Sequence, residues 1–149
     1  MIHIREIQTS DVEAMLALRS QWLSERFNTV DATERERAWF SRYPGNMMAP
    51  ALVAEDDDQI VGYILCALIK HPVMPGTAAS IDEICVAASH RKHGIGRRLF
   101  AELRTRLIAS VTDLSAIRAQ FDREDETAEA FWTALGFEHH LLEYTDYLE

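Results

Sequence analysis

A β-prone run, Ile81-Asp82-Glu83-Ile84-Cys85-Val86, leads through AASH into the bend Arg91-Lys92-His93-Gly94-Ile95-Gly96. It then passes directly into a helical stripe of Ile95, Leu99, Leu103 and Leu107. Side chains four apart on a helix share one face, so this stripe needs an apolar layer to lie on. A strand handed to such a helix by a tight bend leaves the helix packed on the strand's own sheet. Layers of sheet and helix are the fold this segment permits.

The remaining segments agree. HIREI reads as a short strand, and Ser10-Asp11-Val12-Glu13 as a capping box that starts a helix. Along that helix Val12, Met15, Leu16, Arg19, Trp22 and Leu23 recur at helical spacing, with Arg19 the one break in the apolar stripe. Thr33 and Glu36 form a second box, opening a short helix that ends near Tyr43, before Pro44-Gly45. ALVAE and QIVGYILCALI flank Asp56-Asp57-Asp58, which predicts an antiparallel hairpin. HPVMPGT ends the second of those strands, and Ser80 to Val86 is the next. After the helix from Ile95 to about Ala109 come a strand near Leu114 to Phe121, an acidic DREDE loop, and a helix marked by Ala128, Phe131, Trp132 and Leu135. Gly136 stands where a C-cap glycine belongs, and HHLLEYTDYL is β-prone enough for a last strand. The order β, α, α, β, β, β, α, β, α, β makes an α/β or α+β structure with one central sheet. At 149 residues the chain has the length of one domain.

Charge narrows the function. Fifteen basic against 24 acidic side chains give a net −9, which repels nucleic acid and anionic membranes unless positive charge is concentrated locally. It is concentrated: residues 91 to 106 hold six basic side chains and one acid, a local +5, and the rest of the chain carries −14. Cys66 and Cys85 sit in apolar runs without CxxC or Cys/His spacing, so no zinc site or disulfide framework is signalled. His90, His93, His139 and His140 lack ligand spacing as well, and no metal is expected. MIHIREIQ has no export signature, and the apolar stretch Ile60 to Ile69 is far short of the ~20 residues a membrane helix needs. A cytoplasmic protein without membrane or nucleic-acid partners is the expectation.

Glycines at 94 and 96, directly before a helix, let backbone amides approach a ligand, and the helix dipole draws an anion to that end. The glycine spacing is neither GxGxxG nor GxxxxGK[ST], which disfavours NAD and ATP. RxxGxG after an apolar strand resembles motif A of the GNAT superfamily, the acetyl-CoA-dependent N-acetyltransferases. EICV before the bend and AEAFWTALGF near the C-terminus are similar to two further family segments, in the same order. The resemblance covers nearly the whole chain and implies a single domain over residues 1–149, with a mixed, mostly antiparallel twisted sheet flanked by helices.

It also implies a site. Backbone amides of His93, Gly94, Ile95, Gly96 and Arg97, with Arg91 and Lys92 beside them, would hold the pyrophosphate of coenzyme A. Ile84, Cys85 and Val86 would pair with its pantetheine arm through the main chain, and the Val86 amide would polarise the thioester carbonyl. Asp82 is the candidate catalytic base and Glu83 the second, and strand alternation predicts that only one of them faces the cleft. Salt-bridged or solvated strand carboxylates are the plainer account of both. Trp132 stands where the family often has a tyrosine acid, and either walls the thioester channel or packs the core. Asp125 replaces a frequent asparagine at the start of the late helix. Tyr144, Tyr147 or water could supply the missing acid.

The reaction implied is direct transfer of an acetyl group from acetyl-CoA to a primary amine, for which the acidic remainder of the chain favours a small cationic acceptor. An acyl-CoA-binding sensor without chemistry, and an enzyme acting on protein N-termini or lysines, are the alternatives. Dimers are common among such proteins, so a homodimer is an assembly the resemblance allows.

Overall fold

In the computed structural model, which describes residues 1–27, 34–139 and 148, five strands form one sheet in the order β1-β2-β3-β4-β5. β1 (Ile2–Glu6), β2 (Ala51–Asp56), β3 (Gln59–Lys70) and β4 (Thr77–Val86) are successive antiparallel neighbours. β5 (Leu114–Ala119) runs parallel to β4. A parallel neighbour demands a long crossover, and α3 (Ile95–Ser110) supplies it.

Alternation along the strands sends side chains to two separate cores. Leu52, Ala54, Ile64 and Cys66 meet Ile95, Leu99, Leu103 and Leu107 of α3 and Trp132 of α4 (Glu126–Ala134). Val53, Tyr63, Leu65 and Cys85 meet Val12, Met15 and Leu16 of α1 (Val12–Phe27) and Phe40 of α2 (Glu34–Phe40). The sheet is covered on both faces, so β2 and β3 carry continuous apolar runs.

The acidic turn behaves as its sequence predicts. Only Asp57 and Asp58 separate β2 from β3, and both have positive φ, 47° and 64°. A two-residue hairpin loop of this hand matches the twist of its strands, and aspartate tolerates the left-handed region.

The start of α1 differs from expectation. Residues Thr9–Asp11 form a 3-10 turn and α1 begins at Val12. Asp11, not Ser10, satisfies the entering backbone: its Oδ2 accepts the Gln8 amide at 2.8 Å. Arg5 donates to both oxygens of that carboxylate, at 2.8 and 2.9 Å, and also to Glu55, which fixes Asp11 as a buried acid. Thr33 and the segment 140–147, including Tyr144 and Tyr147, lie outside the described residues, and so does the last expected strand.

Candidate active site

β4 is paired along its whole length on one edge and along half of it on the other. Its partners on β3 run from Lys70, opposite Thr77, to Gly62, opposite Val86. Its partners on β5 end at Ala119, opposite Ile81. From Asp82 to Val86 the edge facing β5 has no strand beside it among the described residues. Residues 84 to 86, the stretch expected to meet a pantetheine arm, carry this open edge.

A bulge marks the point of divergence. Leu65 lies opposite Glu83 and Cys66 opposite Ile81, so Asp82 is the extra residue. An extra residue interrupts alternation, and the expectation that Asp82 and Glu83 face opposite sides is overturned. Ile81 and Ile84 both pack on the α3 core, whereas both carboxylates meet phenols of the α1/α2 core.

The two acids differ in their surroundings. Glu83 accepts from Arg19 Nε with both oxygens at 3.1 Å and from the Tyr63 hydroxyl at 2.5 Å. Arg19 also pairs with Glu36 of α2. The Arg19 and Glu83 side chains are 20% and 15% exposed, so this ionic cluster is half sealed between α1 and the sheet. Burial, with the Glu83 charge beside it, holds the Tyr63 phenol well above its ordinary range. Asp82 is exposed and accepts one hydrogen bond, at 2.7 Å, from the hydroxyl of buried Tyr43. The sequence marked Arg19 as a break in its stripe, and that break is the signal for Glu83's partner. Nothing local marked Tyr63 beyond its apolar surroundings, or Tyr43 beyond its place at the end of a short helix.

The bend beyond β4 opens toward solvent. Lys92 has φ 63° and Gly94, the N-cap of α3, has φ 80°. A Cβ on Gly94 would meet nothing within 4 Å, so the space before it is free. The first intrahelical bond runs from Arg98 N to Gly94 O at 3.0 Å, which leaves the amides of residues 95 to 97 without a helical acceptor. Lys92, His93 and Arg97 are exposed around this end. Arg91 is tied down instead: its Nε donates to Val86 O at 2.9 Å and its terminal nitrogen pairs with Glu25 of α1 at 2.8 Å. The bend is thereby fastened to the open end of β4 and to α1. Arg98 reaches the Ile2 carbonyl, and Arg106 reaches Glu102 and Glu6, so these two of the six clustered bases are spent on the fold.

Gly96 has a different reason to be glycine. A Cβ there would lie 3.2 Å from the Phe131 ring and 3.8 Å from Ile84 Cδ1, so the start of α3, α4 and β4 converge at this point. Ile95 is buried in the core beneath it. Asp125 caps α4, accepting the Ala128 amide at 3.0 Å, and pairs with Arg26 of α1. Trp132 is 5% exposed and stacks edge-on with Phe100, Phe131 and Phe137. It packs the core between α3 and α4, which is the second of the two places the sequence offered for it. Cys85 is buried, and burial pushes its thiol up to about 12, as it does that of Cys66. The thiols are therefore inert at neutral pH.

A pyrophosphate-bearing carrier fits these features: free amides at a helix N-terminus, an open glycine cap, exposed cations, and an unpaired strand edge leading away. Among the described residues no group of three or more His, Cys, Asp or Glu could hold a metal ion. No helix among them is long and apolar enough to cross a membrane.

The model of the Acetyltransferase (GNAT) family matches residues 12–137. A possible acetyltransferase from Clostridium difficile 630 superposes with a TM-score of 0.83 at 16% identity, over 100% of this chain and 98% of that one. A ribosomal-protein-alanine N-acetyltransferase from Brucella melitensis biovar Abortus 2308 gives 0.78 at 19% identity, over 100% of both chains. An aminoglycoside acetyltransferase from an uncultured soil metagenomic sample, in complex with sisomicin, gives 0.76 at 16%, over 99% and 97%. No curated protein matches the chain in sequence. With the divided strand, the glycine bend and a family match across residues 12–137, this chain belongs to the Acetyltransferase (GNAT) family.

Proposed function

We propose that the protein transfers the acetyl group of acetyl-CoA directly to a primary amine of a small cationic acceptor, with Asp82 as the general base. The observation that carries this reading is the unpaired edge of β4 from Asp82 to Val86, which leads onto the free amides at the start of α3. Amides of residues 93 to 97, with Lys92 and Arg97, hold the pyrophosphate. The main chain of Ile84, Cys85 and Val86 aligns the arm that follows, and acetyl-CoA supplies the activated acyl group.

The acceptor arrives as an ammonium, because an alkylamine of pKa ~10.4 is almost fully protonated at neutral pH. Asp82 is exposed at the divergence of β4 from β5, so it can receive that cation and then its proton. Glu83 is already neutralised by Arg19, and its function is to hold α1 and α2 against β4. Two aminoglycoside acetyltransferases from uncultured soil samples share the fold at TM-scores of 0.75 and 0.76, and a polycationic acceptor agrees with the acidic remainder of this chain.

Thiol release from acetyl-CoA, measured across polyamines, aminoglycosides and lysine peptides, tests the proposal. Release with small cationic amines is expected, lowered about 10²-fold or more in Asp82→Asn, as for loss of a general base. Background release across the whole panel by protein that binds acetyl-CoA would contradict it.

A further inference from the structure

Asp82 is the bulge residue of β4, with no partner opposite it on β3 or β5. An exposed aspartate in that position has no backbone neighbour to select its rotamer. One side chain does so. Tyr43 follows α2 by three residues, and its amide donates to Phe40 O at 3.2 Å. Its ring is 4% exposed and sits edge-on to Trp39, with centroids 5.7 Å apart at 83°. The hydroxyl therefore emerges at a fixed point, 2.7 Å from Asp82 Oδ2. Oδ1 accepts no hydrogen bond from the described residues.

We propose that Tyr43 is a positioning residue for acetyl transfer, pinning Oδ2 of Asp82 so that Oδ1 is presented to the acceptor amine. The inference rests on the transferase reading above and assigns the α2 side of the cleft a part in it. A phenol beside a carboxylate donates, so it takes one lone pair of Oδ2 and fixes the carboxylate plane, leaving both lone pairs of Oδ1 for the incoming N–H. The proton leaving the amine moves to Oδ1, and the Tyr43 O–H bond stays intact. Burial, and then the hydrogen bond to Asp82, hold the Tyr43 phenol far above its ordinary range, so it remains a donor wherever an amine acceptor reacts. Glu83 shows the other outcome of the same architecture: with a phenol and a guanidinium both bound, its oxygens are committed to the fold.

A double-mutant cycle separates the roles, since residues acting through one another are non-additive. Steady-state kinetics are measured with acetyl-CoA and spermidine, and with acetyl-CoA and kanamycin, for wild type, Tyr43→Phe, Asp82→Asn and the double variant. Calorimetry with acetyl-CoA checks that each variant keeps its fold and cofactor seat. Tyr43→Phe is expected to lower kcat about tenfold with the KM for acetyl-CoA unchanged, and to add nothing once Asp82 is asparagine. Asp82→Ala, also at an exposed position, serves as a second background in which Tyr43→Phe adds nothing. A Tyr43→Phe enzyme as fast as wild type overturns the positioning role, as do losses that multiply in the double variant. If wild type turns over neither amine, the panel member it acetylates fastest replaces them, and absence of turnover across that whole panel overturns the transferase reading and this role with it. Activity that needs Asp82 but ignores the Tyr43 hydroxyl overturns this role alone.

Discussion

Single residues in this protein divide into those whose side chains act and those that serve the main chain. The bend itself was legible in sequence because a tight entry into a helix must relax φ, as Gly94 does; that Gly96 is glycine for its contact with Phe131, and that Arg91 is held by Glu25, was not. Asp11 was harder to read. Ser10 has the capping-box spacing to Glu13, but the nearby Arg5 guanidinium made Asp11 the residue worth burying. Burial alone would raise the Asp11 carboxyl; the Arg5 guanidinium and the Gln8 amide outweigh it and hold the group below its ordinary value. A depressed carboxyl contributes stability that is fully present above the unfolded pKa of about 3.9 and lost as pH falls through the lower folded value. Asp11→Asn should therefore cost about 2 kcal/mol at pH 7, the scale of charge-assisted hydrogen bonds. Urea melts at pH 7 and pH 3 check this, with the deficit shrinking at the lower pH.

Elements carry the next layer of information, and here register decides what composition cannot. The runs ALVAE and QIVGYILCALI named their strands, and the three aspartates named the turn. The facing of Asp82 and Glu83 stayed hidden because a bulge depends on how β3 and β4 align, and no residue in either run announces it. Trp132 was similarly ambiguous: helical spacing places it on an apolar face but does not say whether that face meets a core or a channel. Its neighbours Phe100 and Phe137 supply the answer only in three dimensions. The hairpin gives a prediction at this scale. Asp58 occupies φ 64°, which a β-branched side chain resists. Asp58→Val should destabilise the protein by about 1–2 kcal/mol, the cost of a left-handed residue, with the amine-dependent reaction intact at temperatures where the fold persists. Thermal melting beside the thiol-release assay reads both.

At the scale of the molecule, function follows from where the sheet stops being a sheet. β4 and β5 pair up to Ile81 and Ala119; beyond that point β4 keeps β3 and loses β5, and α3 begins across the opening. α1 holds this arrangement from outside, through Glu25 on Arg91, Arg26 on Asp125 and Arg19 on Glu83. These three pairs link segments far apart in sequence; Arg19, Glu83, Arg91 and Asp125 stood out beforehand, none of them for these partnerships, and Glu25 and Arg26 did not. The separation of charge, +5 over residues 91 to 106 against −14 elsewhere, suits the proposed pair of substrates, an anionic carrier and a cationic acceptor. Calorimetric titration of acetyl-CoA into wild type and Arg97→Glu probes the proposed cofactor seat itself. One-to-one binding to wild type is expected, weakened at least about tenfold by reversing a single charge beside the helix N-terminus, with the melting temperature unchanged. No heat with wild type, or equal affinity in the two proteins, would contradict it.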